Sequence, residues 1–480
     1  LISPDMEGVQ AYDFMKGKSI SRRGEEAADK VRGRLAEIAR RLETDKQPPL
    51  KLQGPEYLYI SEVGVENLRY VDSSFVIGKG GVFPGTYITK ERLDQAVEKL
   101  FGTRYFRKVN YRLEKQGENI YRLVYVVKES TRAFVKGALH YNNHLGTGLI
   151  VNGTFRNYLI PASRINITAN IAEKPGVKFD LHKYYGKKQR VMDHYFVNWY
   201  RSELPVFFEG EQVGRYRHGM LKAGVGGKYS ITINQQVGLD AFYEQSTIYP
   251  DEALQSFYPE VNFENYGFGG IAVEAFYHLN TQDDLYFPTR GIRLETSFKR
   301  VFKPITKYRI EGDQTMDEQI FSLNLKPFYT FYLNADQYFR VAPRGSFKLG
   351  TTAGLIFSDI PITNNYALGG VMFDDKINYE TLAGYDYGEM VVPNYWKVNA
   401  GMDVRLTSRL FLTLEANAAH FANKAHNMYS SLRRASWNDL LMGYAAGVRI
   451  NSVLGPLVFM VGDNHQDSRA RWYLNLGYTF

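Results

Sequence analysis

Stretches of about ten residues along this chain alternate between apolar and polar side chains. The last of them, RWYLNLGYTF, ends on Phe480. Successive side chains of a strand point to opposite faces, so one face of this stretch is apolar or aromatic and the other is polar or small. The apolar face carries Trp472, Leu474, Leu476, Tyr478 and Phe480.

The same alternation recurs in RINITANI, WKVNAGMDVRL and RLFLTLEANA. The polar faces carry full charges in mid-strand, at Asp403, Arg405 and Glu415, and these must face water or a polar lumen. One such strand could belong to a soluble sheet. Their repetition predicts a transmembrane β-barrel, in which Leu412 faces lipid and Thr413 faces the lumen.

Composition agrees with this fold class. No apolar run reaches the roughly 18 residues of a membrane helix, and the mean hydropathy is −0.35. The 36 tyrosines and 30 phenylalanines suit interfacial aromatic girdles, and the absence of cysteine leaves no thiol chemistry. A net charge of +8, spread over both strand faces, gives no reason to expect a nucleic-acid partner.

The pattern divides the chain into four parts. Residues 1–45 contain a helical tail in GEEAADKVRGRLAEIARRLE, and the prolines of residues 46–56 indicate a linker. Residues 57–130 read as strand, helix, helix, strand, strand, with Thr89 as the cap of the second helix. Residues 131–480 form the barrel.

We predict sixteen barrel strands: eleven before a glycine-rich interruption at residues 351–392 and five after it. An even number suits a single-chain bacterial barrel. The last strand should close the barrel against the first, near residues 131–141, because lipid cannot satisfy a free sheet edge.

Four segments resemble parts of known families. The segments ITKERLDQAVEKLFGTRYFRKVNYRLE and YRLVYVVKES resemble a POTRA domain, a periplasmic polypeptide-transport-associated module. The phrase DDLYFPTRGIRLE resembles the turn that starts a barrel strand in the BamA-like surface-antigen superfamily, and RINSVLGPLVFMVG resembles the entry to its penultimate strand. The residues of this strand-start motif are Asp283, Asp284, Pro288, Arg290 and Gly291.

The interruption resembles the sixth extracellular loop of that superfamily, which folds back into the lumen. In YALGGVMFDDKINYETLAGYDYGE the paired glycines precede a tip, LAGY, with Ala383 where the family has arginine. The resemblance implies an anchor on inward acids, for which Asp403 and Glu415 are candidates. In the absence of the arginine, those acids can instead pair with Arg405 or other lumenal cations. Without the arginine, we expect hydrogen bonds and packing to hold the tip inside the barrel, with the hydroxyls of Tyr385 and Tyr387 bonded to lumenal charges. The loop residues concerned are Gly369, Gly370, Leu382, Gly384 and Tyr385.

The first 45 residues resemble the closing stretch of a bacterial patatin domain. Patatin-like outer-membrane proteins consist of a patatin domain, one POTRA domain and a sixteen-stranded barrel, in that order. The chain has neither Gly-x-Ser-x-Gly nor Asp-Gly-Gly/Ala, which patatins use for catalysis. His140 and His144 have no metal-ligand spacing, and GKGGVFPG lacks the Gly-Lys-Ser/Thr of a phosphate loop. We therefore assign no catalytic, cofactor or metal site to these residues.

The resemblance implies that the assembly machinery recognises the C-terminal strand by its apolar and aromatic face, formed by Trp472, Leu474, Leu476, Tyr478 and Phe480. It also implies a bacterial outer-membrane barrel, with the POTRA domain and the N-terminus in the periplasm. It would be a translocator or membrane anchor for an upstream lipid acyl hydrolase; the alternatives are a BamA- or TamA-like assembly factor and a passive pore. Implied partners are outer-membrane lipid and lipopolysaccharide, the assembly machinery and a polypeptide client, and a homodimer stays open. Because the sequence starts at Leu1 without a leader, we expect it to be a mature or truncated portion.

Overall fold

The computed structural model describes residues 2–5, 17–41, 56–144, 146–208, 210–251, 263–310, 326–358, 364–371, 378–467 and 469–478. The chain divides into two compact units, Leu1–Leu58 and Tyr59–Phe480. No described helix is both long and apolar enough to cross a membrane, which says nothing of a β-barrel.

The described residues of the first unit contain two helices where the sequence predicted one. They are α1 (Gly17–Lys30) and α2 (Arg32–Arg41), separated at Val31. Their apolar positions are not covered within the described part of this unit, since Leu35 and Ile38 are each 46% exposed. Most of the linker predicted at residues 46–56 lies outside the described residues.

The second unit begins with a small α+β region. Its elements are β1 (Leu58–Glu66), α3 (Ser73–Gly80), β2 (Thr86–Ile88), α4 (Lys90–Gly102), β3 (Phe106–Gly117) and β4 (Ile120–Glu129). The sheet order is β2-β1-β4-β3, with β1 parallel to β4. Thr89 caps α4 by accepting a hydrogen bond from the Arg92 amide at 3.3 Å, as its sequence position predicts.

The core of the α+β region lies between its helices and its sheet. Alternate residues of the strands and one side of each helix supply it, as amphipathic elements should. Its members include Ile60, Leu93, Leu100, Leu123 and Tyr125, none more than 1% exposed.

Sixteen antiparallel strands close into a barrel, which confirms the predicted fold class and strand number. Eleven precede the long interruption and five follow it. The first eleven are β5 (Ala133–Asn142), β6 (Gly146–Arg156), β7 (Ser163–Ala172), β8 (Gly176–Tyr185), β9 (Val191–Phe208), β10 (Glu211–Ser230), β11 (Gln235–Pro250), β12 (Phe263–Asn280), β13 (Gly291–Ile310), β14 (Phe328–Ala342) and β15 (Gly345–Ile356). The last five are β19 (Tyr395–Arg405), β20 (Leu410–Phe421), β21 (Leu441–Ser452), β22 (Gly455–Asn464) and β23 (Arg471–Gly477).

The interruption starts later than predicted, because β15 continues to Ile356. Three short strands within it form a separate small sheet: β16 (Tyr366–Leu368), β17 (Tyr379–Glu380) and β18 (Met390–Val392). We call residues 357–394, between β15 and β19, the lumenal loop. A short helix, Met428–Arg434, lies in the connection between β20 and β21.

The two ends of the barrel differ. We call the end that carries the α+β region the near rim; it includes the turn at residues 157–162, where Asn157 donates to the Tyr70 carbonyl at 3.4 Å. Because the strands are antiparallel, the lumenal loop starts and ends at the opposite end, the far rim. The outer faces of the strands are apolar and exposed, for example at Val398, Leu412 and Trp472.

Candidate functional site: the lumenal loop and its wall

The backbone of the loop tip packs directly on the barrel strands. Gly384 has a φ of +88°, and a side chain there would collide with the backbone of Asp463 on β22 and of Gly443 on β21. Gly369 has a φ of +149°, and a side chain there would overlap the carbonyl of Asp386 within the loop itself. Only glycine combines this conformation with so close an approach.

Three polar side chains of the inner wall bind the tip. Asn417 on β20 accepts from the Ala383 amide at 2.8 Å and donates to the Ala383 carbonyl at 3.1 Å. Tyr473 on β23 accepts from the Gly384 amide at 3.0 Å and donates to the Tyr385 carbonyl at 2.9 Å. Asn464 on β22 donates to the Gly384 carbonyl at 2.9 Å. The tip is thus recognised through its backbone, by hydrogen bonds in a buried setting where an unpaired amide would be costly.

The apolar residues of the loop fill the space between opposite walls. Leu382 is fully buried, Tyr385 is 1% exposed, and both join one cluster. Strands from across the lumen contribute to that cluster, through Phe196, Phe242, Phe268, Val301, Phe328, Ala419 and Leu441. The barrel at this level is therefore a packed core and not an open channel.

Family and structural comparisons agree with this architecture. A family model described as the OMP85 superfamily matches residues 237–480, more than half of the chain. The chain belongs to the OMP85 superfamily. No curated protein matches it.

Two solved structures are similar to this OMP85 chain. One is BamA from Haemophilus ducreyi lacking POTRA domains 1–3, with a TM-score of 0.64 and 12% identity, covering 87% of this chain and 84% of that one. The other is CdiB from Acinetobacter baumannii, with a TM-score of 0.52 and 10% identity, covering 88% and 73%. At these identities the likeness shows a common fold and nothing finer.

In this OMP85 chain the buried charges between loop and wall have the opposite sign to those implied by the resemblance. Lys397 on β19 donates to Glu380 of the loop at 2.6 Å and to the Thr381 carbonyl at 2.8 Å. The side chains of this pair are 4% and 7% exposed. Here the wall carries the cation and the loop carries the acid, so the missing arginine at Ala383 does not leave the loop without an ionic contact.

A second cation on the wall, Arg471, forms ion pairs with three acidic side chains. Arg471, at the start of β23, lies 3.3 Å from Asp386 and 3.1 Å from Glu389, both in the loop. It also lies 2.6 Å from Asp467, in the connection before β23. Its side chain is 1% exposed, and its guanidinium stands 5.9 Å from the ring centre of Tyr385. The loop is therefore tied to the terminal strand by charge as well as by hydrogen bonds.

The predicted acidic partners of the tip, Asp403 and Glu415, lie closer to the near rim than the tip does. Asp403 accepts from Thr413 at 2.5 Å and pairs with Arg449 at 3.1 Å. Arg405 donates instead to the Pro343 carbonyl in a near-rim turn, at 3.2 Å. Glu415 lines a cavity of about 430 Å³ that also contacts Asp403. The structure places the tip against Asn417, two residues beyond Glu415 on the same strand, and Tyr385 beside Arg471 and Tyr473.

The tyrosine hydroxyl does not play the role we expected from the sequence. Tyr385 Oη is buried and has no hydrogen-bond partner among the described residues. Tyr387, two residues later, stacks on Tyr379 with ring centres 4.6 Å apart and on His144 at 5.9 Å. His144 follows β5, so the loop contacts structure on both sides of the junction between β23 and β5.

The strand-start motif forms a tight turn at the near rim. Asp283 accepts from the Thr289 amide at 2.8 Å and from the Arg290 amide at 3.2 Å, and Asp284 accepts from the Tyr286 amide at 2.8 Å. Burial raises the pKa of Asp283, but the hydrogen bonds from Thr289 and Arg290 outweigh it and hold that pKa below its usual value. Pro288 is buried and has no amide hydrogen to satisfy, and Gly291 has a φ of +110°.

This turn also reaches across the barrel opening. Phe287 stacks on Phe411 of β20 with ring centres 4.8 Å apart, and Arg449 of β21 lies 4.9 Å from the Phe287 ring centre and donates to the Tyr286 carbonyl. Tyr286 and Val371 both line the 430 Å³ cavity, which therefore lies between this turn and the lumenal loop. The lumen is narrowed from both ends.

The terminal strand closes the barrel over a short junction. Its register pairs are Asn475 with Asn142, Leu476 with Tyr141, and Gly477 with His140. Asn143 extends the junction, since its amide donates to the Leu474 carbonyl and its side chain donates to the Trp472 carbonyl, each at 3.1 Å. Tyr478 lies 5.5 Å from Tyr286 in an edge-on contact, and Phe480 lies outside the described residues.

Sequence reasoning missed Lys397, Arg471, Glu380 and Asn417. The sequence could have identified Lys397 and Arg471, because both lie at inward-facing positions of alternating strands. The described residues contain no group of three or more His, Asp or Glu side chains arranged to hold a metal ion. His140 instead bonds Asn170 at 3.0 Å.

Proposed function

We propose that this chain is the outer-membrane translocator or membrane anchor of an upstream patatin-like lipid acyl hydrolase. The supporting observation is the single α+β region fixed on the near rim, where the chain enters the barrel. We assign residues 57–130 to one POTRA domain, and the likeness to a BamA that lacks its first three POTRA domains supports this. Residues 1–45 would then be the helical end of the patatin domain and residues 46–56 the linker.

The α+β region is held to the barrel by specific contacts. Arg156 at the end of β6 donates to the Arg104 carbonyl at 2.6 Å, and the Arg132 guanidinium lies 3.6 Å from the ring centre of Tyr70. Gly78 of α3 leaves no room for a side chain against Lys187 of the turn after β8. A region fixed in this way can present a segment to the barrel opening. In the membrane, we place this rim in the periplasm and the far rim at the cell surface.

A passive pore is the less supported alternative, because the lumenal loop and the near-rim turn both fill the lumen. An assembly factor for other outer-membrane proteins is the stronger competitor, since the BamA likeness covers most of both chains. Whether the chain is an anchor or an assembly factor, its expected partners are outer-membrane lipid, lipopolysaccharide and the assembly machinery that inserts the barrel.

The deciding experiment uses the full gene product. We would measure release of fatty acid from phospholipid vesicles by that product and by the 480-residue chain alone. The proposal expects hydrolysis by the full product, its loss when the serine of an upstream Gly-x-Ser-x-Gly is replaced, and none by the chain alone. A full product without serine-dependent hydrolysis would contradict the anchor function and favour an assembly factor.

A further inference from the structure

An opening between the α+β region and the near rim has six cationic side chains among the described residues that line it. It has a volume of about 1060 Å³ and leads between the start of β3 and the inward-facing residues of β5 to β8. We call it the basic vestibule and define it by Arg104, Arg107, Lys136, Arg156, Arg164 and Lys178. Asp180 is the one carboxylate among the described residues that line it.

Five of the six vestibule cations have no carboxylate partner among the described residues. Asp180 is engaged by His194 at 2.9 Å. In the described part of the chain, Arg104, Arg107, Lys136, Arg156 and Arg164 form no ion pair with a carboxylate. Because these cations line one opening, their mutual repulsion favours an anionic ligand there.

Some of the cations are held in place by the fold. Arg156 is fixed by its hydrogen bond to the Arg104 carbonyl, and its guanidinium stands 5.3 Å from the ring centre of Phe134 and 5.7 Å from that of Tyr105. Arg164 donates to Asn166 at 3.1 Å. Pre-positioned guanidinium groups lose less conformational entropy on binding a carboxylate than mobile ones do.

The vestibule continues in both directions. On the outside, a groove shares Arg107, Ser130 and Thr131 with it. The groove adds further cations: Arg69, Lys108, Lys128 and Arg132. Its carboxylate, Glu129, is occupied by the backbone amides of residues 69, 70 and 71, at 3.0–3.2 Å. On the inside, Thr168 and Lys178 also line the 430 Å³ lumenal cavity, so a path whose outer part is basic runs from the α+β surface into the barrel.

We propose that this path binds an acidic stretch of polypeptide as it enters the barrel. That the ligand is a polypeptide rests on the proposed translocator function. That it is acidic rests on the cations described above. A lipid headgroup fits less well, because the vestibule is lined by inward-facing side chains, whereas lipid lies against the outer faces of the strands. The elongated path, groove to lumen, also suits an extended chain better than a compact anion.

The test measures binding of a fluorescein-labelled 12-residue peptide of Glu, Gly and Ser by fluorescence anisotropy. The full chain is used, folded in an uncharged detergent at low salt. Arg107→Glu combined with Lys136→Glu reverses two exposed vestibule cations that make no hydrogen bond in the described residues. We expect affinity to fall about tenfold, since the double variant removes two favourable charge contacts with the peptide and adds two unfavourable ones.

The matched control reverses Lys99 and Lys115, which are exposed on the same α+β region but line neither the groove nor the vestibule. Its affinity should equal that of the unmodified chain, and a Lys, Gly and Ser peptide should not bind. Retention of heat-modifiable migration by each variant shows that the barrel is folded.

Equal weakening in both double variants, or no binding by the unmodified chain, would overturn the inference. Displacement of the peptide from the unmodified chain by phosphatidylglycerol in mixed micelles would overturn it in favour of a lipid-headgroup site. The assay needs no hydrolase, so its outcome is independent of the phospholipid-hydrolysis test above.

Discussion

Arg471 is the residue at which the loop, the terminal strand and the preceding connection meet. It pairs with Asp386, Glu389 and Asp467 while its own side chain is 1% exposed. Removing one partner of a buried ion pair leaves the other charge without compensation, which typically costs about 3–5 kcal/mol. Loss of the Arg471 side chain should therefore destabilise the barrel.

Arg471→Met should lower the free energy of unfolding by about 3–5 kcal/mol, because Glu389 is buried with it. The measurement is urea unfolding of the purified barrel, followed by the loss of its compact form on a gel. Arg469→Met is the matched control, since Arg469 pairs with Asp386 at 3.3 Å but is 53% exposed and should contribute less than about 1 kcal/mol. Similar losses in both variants would show that the cluster on Arg471 does not hold the loop.

Sequence reasoning at this scale identified the glycines of the tip but chose the wrong type of partner. It looked for inward acids because the resemblance supplied a loop cation, and Asp403 is indeed inward, paired with Arg449. Lys397 and Arg471 share the same inward parity, but their acids, Glu380, Asp386 and Glu389, lie in a loop without periodicity. Pairs that join distant segments leave no local pattern in a single sequence.

Strand β20 shows how alternation fixes the surroundings of each side chain. Leu412 is 39% exposed on the outer face, whereas Thr413 is 2% exposed and hydrogen-bonded to Asp403. Arginine at Thr413 would not test the polar lumen cleanly, because it would replace an almost fully buried hydroxyl and remove its hydrogen bond to Asp403. Glu415, which lines the cavity, is the better lumenal position for comparison.

Leu412→Arg should cost about 2–4 kcal/mol if the residue lies near the bilayer midplane, because the guanidinium would enter lipid. Glu415→Lys on the same strand should cost less, since its side chain remains in the polar lumen. Unfolding free energies in lipid bilayers measure both. A larger loss for Glu415→Lys than for Leu412→Arg would mean that the faces of β20 are reversed.

The boundary of β15 shows where alternation fails as a guide. The residues Thr351 to Ile356 continue the strand, yet their sequence, TTAGLI, has no charged inner face. The inner positions face the packed loop and not water: a side chain at Gly354 would meet the rings of Tyr366 and Tyr395. A strand that covers a filled lumen loses the polar half of its pattern, so the sequence placed its end too early.

The terminal strand carries the closing junction, and its last residue stays a sequence-based prediction. Deleting Phe480 should lower the amount of barrel in the outer membrane, because the resemblance implies that the assembly machinery reads the C-terminal aromatic. Membrane fractionation with a heat-modifiability gel measures this. Phe459→Leu removes an exposed aromatic that is not terminal and serves as control. An unchanged yield on deleting Phe480 would refute the assembly role.

The whole molecule is an OMP85 barrel with two obstructions in its lumen and a small α+β region at one rim. The lumenal loop contacts β19, β20, β22 and β23 through polar groups and the opposite wall through apolar ones. The number of strands, the closure and the outer face followed from local alternation. The filling of the lumen did not, because it depends on contacts between the loop and six or more separate strands.

Ion conductance across a planar bilayer tests most directly whether the lumenal loop closes the barrel. The comparison is between the intact chain and a variant lacking residues 372–388, which include the tip, with heat-modifiable migration as the check that each is folded. We predict little conductance for the intact chain and a large, steady conductance for the deletion variant, since the tip and its contacts with β19, β20 and β23 are lost. A large and equal conductance in both would contradict the account, because it would mean that the lumen is open while the loop is in place.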